Sequence, residues 1–129
     1  MLRLFNPETV GKPFSSYSHG ALVTGPCNWL LISGQVGVRP DGTLPEGFEA
    51  QARQAWANLL AVLQAGGMER GDLVKVNTFL TRAADVPFSR TARDEALQGA
   101  APASTLLVVA ALARPDLLIE IEAVAAKAA

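Results

Sequence analysis

The residues best suited to chemistry lie near the end of the chain. In Leu118-Ile119-Glu120-Ile121-Glu122-Ala123-Val124, alternation places Glu120 and Glu122 on one face of an extended segment and Ile119, Ile121 and Ala123 on the other. Two carboxylates so spaced sit roughly 7 Å apart and could share general-base work on a bound water. The same spacing suits two solvated side chains on an uncovered sheet face, and spacing alone leaves both readings open. Other candidates are thinner. Ser33-Gly34-Gln35-Val36-Gly37 follows an apolar run, but without G-x-G-x-x-G, a Walker lysine or a helix directly behind it, this reads as a strand end with close backbone approach and not a phosphate cradle.

His19 is the only histidine and Cys27 the only cysteine. No Ser/His/Asp or Cys/His set can be assembled, and no internal disulfide or cysteine-based zinc site is available. His19 reads as a solvated loop residue. Cys27, in the turn-rich tetrad Gly25-Pro26-Cys27-Asn28, has no basic neighbour in sequence to activate it. Arg90 and Arg93 read as the solvated face of a helix, and Trp56 as core.

The elements that must position these groups follow from hydrophobic period and turn residues. Ala21–Thr24 and Trp29–Ser33 flank Gly25-Pro26-Cys27-Asn28 and read as a β-hairpin. Glu49–Ala65 is the clearest helix: Ala52, Ala55, Trp56, Leu59, Leu60, Val62 and Leu63 form an apolar stripe, with Gln51, Arg53, Gln54 and Asn58 opposite. Gly66-Gly67 ends it. Leu73–Leu80 reads as a strand, and Asp85 with Pro87 opens a second helix that runs to about Gln98. Ser104–Ala111 and Leu117–Ala126 complete a β-β-α-β-α-β-β order. One open sheet with both helices on one face buries their stripes and leaves the other sheet face bare.

Composition narrows the function classes. A chain of 129 residues suits one domain, 1–129, without a separate cofactor module. Half of the residues are hydrophobic and 18% charged, which predicts apolar surface covered by other subunits. A net charge of −1 offers no footprint for a nucleic-acid backbone. No apolar run reaches the ~18–20 residues of a membrane span, and the N-terminus lacks a signal-peptide core, so the sequence reads as cytoplasmic.

Taken in order, Tyr17, Ser33-Gly34-Gln35, Pro40-Asp41-Gly42, Gln51-Ala52-Arg53-Gln54-Ala55 with Asn58, Asp72-Leu73-Val74-Lys75-Val76, Pro102-Ala103 and Ile119-Glu120-Ile121-Glu122-Ala123 resemble the reactive-intermediate deaminase family (RidA, or YjgF-type, formerly L-PSP endoribonuclease or translation inhibitor). The resemblance runs nearly end to end. It implies a chorismate-mutase-like α+β fold, a homotrimer with a small-molecule cleft between subunits, and hydrolysis of reactive imines and enamines to 2-oxo acids and ammonia without metal or organic cofactor. Glu120 then matches the water-positioning glutamate, Tyr17 a cleft tyrosine, and Ser33 with the Gly34 backbone the cleft floor; Phe88, Ser104 and Thr105 join them as candidate ligand contacts.

One departure bears on function. Deaminase-active members of the family carry an arginine directly after Pro-Ala, where this chain has Ser104. A hydroxyl offers one neutral donor in place of a bidentate guanidinium. Leu106 stands for a family cysteine, and Ala92 for an asparagine of the second helix. The expectation is a less cationic, more apolar cleft, with Arg114 on a turn and no substitute. Weak or absent turnover of 2-iminobutanoate follows. The alternative is a non-catalytic trimer that binds a metabolite or a protein; endoribonuclease activity is disfavoured by the charge.

Overall fold

The computed structural model describes all residues, Met1–Ala129. Its strands are β1 (Leu2–Phe5), β2 (Gly20–Val23), β3 (Cys27–Val36), β4 (Leu73–Leu80), β5 (Ala103–Val108) and β6 (Ile119–Ala128), and its helices are α1 (Phe48–Ala65) and α2 (Val86–Leu97). A four-stranded mixed sheet has the order β3-β6-β4-β5. β6 is antiparallel to both neighbours, and β5 runs parallel to β4, as it must when α2 is the crossover between them.

The α+β class and both helices match the sequence reading, but the hairpin does not. β2 pairs with β1, Leu2 opposite Val23, in a separate two-stranded ribbon, so the sheet is not single. Gly25 has φ of 82°, and at Gly25-Pro26 the chain turns out of the ribbon; β3 then pairs along its length with β6. Cys27 accordingly starts a strand instead of sitting in a turn.

The core lies between α1, α2 and one sheet face. Ala52, Ala55, Trp56, Leu59 and Leu63 of α1 pack on Ile32, Val76, Leu80, Ile119, Ile121 and Ala123. Leu73 joins them although alternation groups it with Lys75, because the β4–β6 register slips between these two residues. Gln51, expected on the solvent side of α1, is buried. Its amide donates to the carbonyls of Pro45 and Asp116 (3.3 and 3.0 Å) and accepts from Leu118 N (2.9 Å). An amide with its groups satisfied is tolerated in the interior. Asn58 does similar work, donating to the carbonyls of Val36 and Val38 at 2.9 and 2.8 Å.

The opposite sheet face carries no helix. Trp29, Leu31 and Leu107 are 54%, 74% and 49% exposed on it, which is the bare apolar face the composition called for.

Candidate functional site

Two hollows, on opposite sides of the sheet, are lined by Ser33 in one case and by Tyr17 and Ser104 in the other. The first is on the bare face. Ile32 pairs with Ala123 and Gln35 with Ile121, so Ser33 and Gly34 together oppose Glu122 alone. That is a β-bulge, a device that re-aims side chains and recurs beside active sites. Ser33-Gly34 is therefore an interruption inside β3 and not its end. The predicted close backbone approach is present: a Cβ on Gly34 would stand 2.5 Å from Glu120 Oε2 and 2.7 Å from its carboxyl carbon. The Glu120 carboxyl group rests on the bulge.

Glu120 and Glu122 share this face, as alternation predicts, while Ile119 and Ile121 are fully buried beneath. Their surroundings differ. Glu122 accepts a hydrogen bond from Asn77 Nδ2 at 3.0 Å, and the cross-strand register places the two opposite each other. Glu120, opposite Val36 and Phe79, has no hydrogen-bond donor from the protein and stays half-buried. Ser33, Leu31, Lys75, Asn77 and Glu122 line a hollow of about 280 Å³ alongside. Thr105 is on this face as well, accepting from Lys75 Nζ at 2.8 Å.

The second hollow, about 220 Å³, opens at the outer edge of β5. Ser104 pairs with Val76, whose side chain is in the core, so Ser104 points to the helix side of the sheet. The segment before β2 is pinned alongside: Ser18 N donates to Pro102 O at 3.2 Å and Ser18 Oγ to Ala101 O at 2.6 Å. This seats Tyr17 beside Ser104. Tyr17 Oη accepts from Phe14 N at 3.3 Å, and its ring meets His19 edge-on at 5.9 Å. His19 is half-buried, its Nε2 against the Gly11 carbonyl, and so it holds the segment together instead of being merely solvated.

The helix side of this hollow carries charge beside Ser104. Arg90 and Arg93 line it together with Phe14, Ser15, Tyr17, Ser104 and Leu106. Arg93, read from sequence as solvated, is 7% exposed, and it donates to Ser15 Oγ at 3.3 Å and to Asp94 Oδ1 at 3.1 and 3.0 Å. Ala92 is buried toward α1 and does not face Ser104. The surroundings of Ser104 are cationic. Charge on a helix reads as solvated unless the packing partner is known, and here the partner is the Phe14–Tyr17 segment.

Two candidates lie elsewhere. Phe88 packs edge-on against Phe48 at 6.2 Å, with the Arg53 guanidinium 5.0 Å over its ring, and lines neither hollow. Arg114 forms a two-pronged pair with Asp116 at 3.0 and 2.7 Å. Hydrogen bonding to Arg114 holds the Asp116 carboxyl below the usual carboxylate range, so Arg114 is engaged on its turn, as the sequence implied. No group of three or more acidic, cysteine or histidine side chains converges on a metal-sized site, and no helix is long and apolar enough to cross a membrane.

Comparison with known proteins adds the following. The family model described as Endoribonuclease L-PSP matches residues 9–127. A 2-iminobutanoate/2-iminopropanoate deaminase of Dermatophagoides farinae is 31% identical over 124 residues, 95% of this chain and 94% of that protein. A protein of the same description from Escherichia coli K12 is 36% identical over 104 residues, 78% and 80% of the two chains. Among solved structures, YyfB of Yersinia pestis, described as a protein of unknown function of the conserved Rid family, superposes with a TM-score of 0.83 at 34% identity, covering 96% of this chain and 97% of its own.

Proposed function

This chain belongs to the endoribonuclease L-PSP family, the RidA/YjgF group, and from that premise we propose that it hydrolyses a reactive imine or enamine. Its fold is the chorismate-mutase-like α+β fold of that group. The observation that carries the activity is the state of Glu120. Its carboxylate is half-buried, pressed on the Ser33-Gly34 bulge and free of protein donors, whereas Glu122 is occupied by Asn77. A free, half-buried acceptor on the bulge, two residues along the strand from the Glu122 that lines the hollow, suits a bound water.

The chemistry asks little of the protein, because a protonated imine carbon is already electrophilic. Glu120 orients a water and takes its proton as the water oxygen bonds to that carbon. The C=N π pair moves to nitrogen. Glu120 returns that proton to the carbinolamine nitrogen, the C–N bond breaks to release ammonia as the oxygen lone pair forms C=O, and the hydroxyl proton is lost to water, leaving a carbonyl compound.

The two hollows are separated by the sheet within one chain. The reading therefore includes a homotrimer, in which the bare face of one copy and the β5 edge of the next complete a cleft. The exposed Trp29, Leu31 and Leu107 support burial by another copy. Tyr17, Ser33, Gly34, Ser104 and Thr105 are the proposed ligand contacts; Phe88 acts at most through α2. A charge-assisted pair contributes roughly 1.5–3 kcal/mol. Ser104 in place of the arginine that the resemblance puts there thus lowers turnover of 2-iminobutanoate by about one to two powers of ten.

The test is ammonia or 2-oxo acid release from imines generated in situ by an amino-acid oxidase or dehydratase. Wild type is expected to act weakly on 2-iminobutanoate, Ser104→Arg to gain, and Glu120→Ala to lose turnover. Strong wild-type turnover of 2-iminobutanoate overturns the Ser104 argument. Should no imine react, the second reading prevails: a trimer that binds a small metabolite without turnover. The net charge of −1 argues against an endoribonuclease.

A further inference from the structure

We propose that Arg90, held beside a fixed Arg93, gives the ligand's carboxylate a contact from helix α2 that supports binding, while its exposed, flexible side chain does not restore the rate lost with Ser104 on β5. The two arginines are three residues apart and so neighbours on one helix face, and both line the hollow with Ser104 and Tyr17. Their states differ. Arg93 is buried, spends two nitrogens on Asp94 and a third on Ser15, and is partly neutralised. Its role is positioning, since it ties α2 to the segment that carries Tyr17.

Arg90 is exposed and unpartnered. Every other arginine of the chain has an ion pair, a hydrogen bond or an aromatic face: Arg53, Arg82, Arg93 and Arg114 have acidic partners, Arg39 and Arg70 hydrogen bonds, and Arg3 the ring of Phe5. No acidic side chain lines the hollow, so its two positive charges meet only Asp94 from outside. An anion seated there has the guanidinium of Arg90, the hydroxyl of Ser104 and the side chain of Tyr17 in the lining around it. A planar carboxylate fits a guanidinium two-pronged, and a volume of about 220 Å³ suits a small monocarboxylate.

The inference rests on the hydrolase reading for what happens after binding, but binding is measurable on a stable compound. The full chain is titrated calorimetrically with 2-oxobutanoate and with its uncharged methyl ester. Wild type is expected to prefer the carboxylate by about tenfold or more, with the preference shrinking at high salt. Arg90→Ala removes the preference, and Arg90→Lys keeps part of it. The thermal midpoint of Arg90→Ala should match wild type, because the side chain is exposed. A preference that survives Arg90→Ala, or one absent from wild type, overturns the proposal. Hydrolysis is followed separately with Glu120→Ala. Binding that depends on Arg90 without any turnover sinks the hydrolase reading alone, whereas turnover with an Arg90-independent preference sinks this one alone.

Discussion

The Glu120 carboxyl group fills the space that a side chain on residue 34 would need. An ideal Cβ there would lie 2.5 Å from Oε2 and 3.0 Å from Cγ of Glu120. Residue 34 sits in a bulge without positive φ, so the need for glycine comes from this approach and not from backbone strain. Gly34→Ala must push Glu120 aside, and the flexible end of a glutamate can yield at little cost to the fold. The expected result is a drop in imine hydrolysis of about tenfold or more, since small displacements of a positioning group are expensive. Stability should stay within about 1 kcal/mol of wild type. Steady-state kinetics and thermal unfolding on the same preparation check both halves, and unchanged turnover would remove Glu120 from its role.

The neighbouring carboxylate supplies the control. Glu122 lies two residues along the same face, but its Oε2 is engaged by Asn77. Glu120→Gln should cost at least about a hundredfold in turnover, within the range for loss of a general base. Glu122→Gln should cost less than about tenfold, because an amide can still accept from Asn77. Equal losses in the two variants, measured by ammonia release, contradict the assignment.

How much of this was legible in the sequence depends on whether the cause was local. Leu73–Leu80 was bounded correctly and Glu49–Ala65 nearly so, because period and flanking turns sit in the segment itself. Glu120 and Glu122 sharing a face is also local. The bulge was not visible, since it is defined by Glu122 on the partner strand as much as by Ser33-Gly34. The burial of Gln51 and Arg93 is not legible for a related reason: each is satisfied by groups far along the chain, Asp116 and Leu118 for one and Ser15 for the other. β1 carries too little pattern in its four residues to be legible, and its pairing with β2 replaces the expected hairpin. The resemblance placed Ser104 in the site, but only the pinning of Ser18 to residues 101–103 brings Tyr17 and α2 to it.

Asn58 gives a stability test independent of function. Its Nδ2 donates to the carbonyls of Val36 and Val38, where β3 leaves the sheet, and its Oδ1 accepts from Gln54. Asn58→Ala strands two part-buried carbonyls, at a cost of about 1–3 kcal/mol. Asn58→Asp keeps the shape but replaces both donors with acceptors that face those carbonyls, and should cost at least as much. Urea unfolding ranks the three proteins. If the aspartate variant equals wild type, the two bonds contribute nothing.

The assembly is the last and broadest test. Leu31 is 74% exposed and Trp29 54% exposed on the helix-free face, and Leu31 lines the hollow with Ser33 and Glu122. Water-exposed leucine and tryptophan in one patch favour burial against another copy, at about 25 cal/mol per Å² of apolar area removed from water. Light scattering of wild type should give the mass of three chains. Trp29→Asp places a charge where a neighbour would pack, outside the lining of either hollow, and burying it unpaired costs far more than the tryptophan contributed, so this variant should run as a single chain. Glu120 and Ser104 lie on opposite sides of the sheet within one protomer, so on the trimer reading dissociation also separates the two surfaces proposed to form the cleft. The monomeric variant should therefore lose hydrolysis although Glu120, Gly34, Arg90 and Ser104 are all intact. Full turnover from a demonstrably single chain would mean that one protomer holds a complete site, and the division of labour between copies would have to be abandoned.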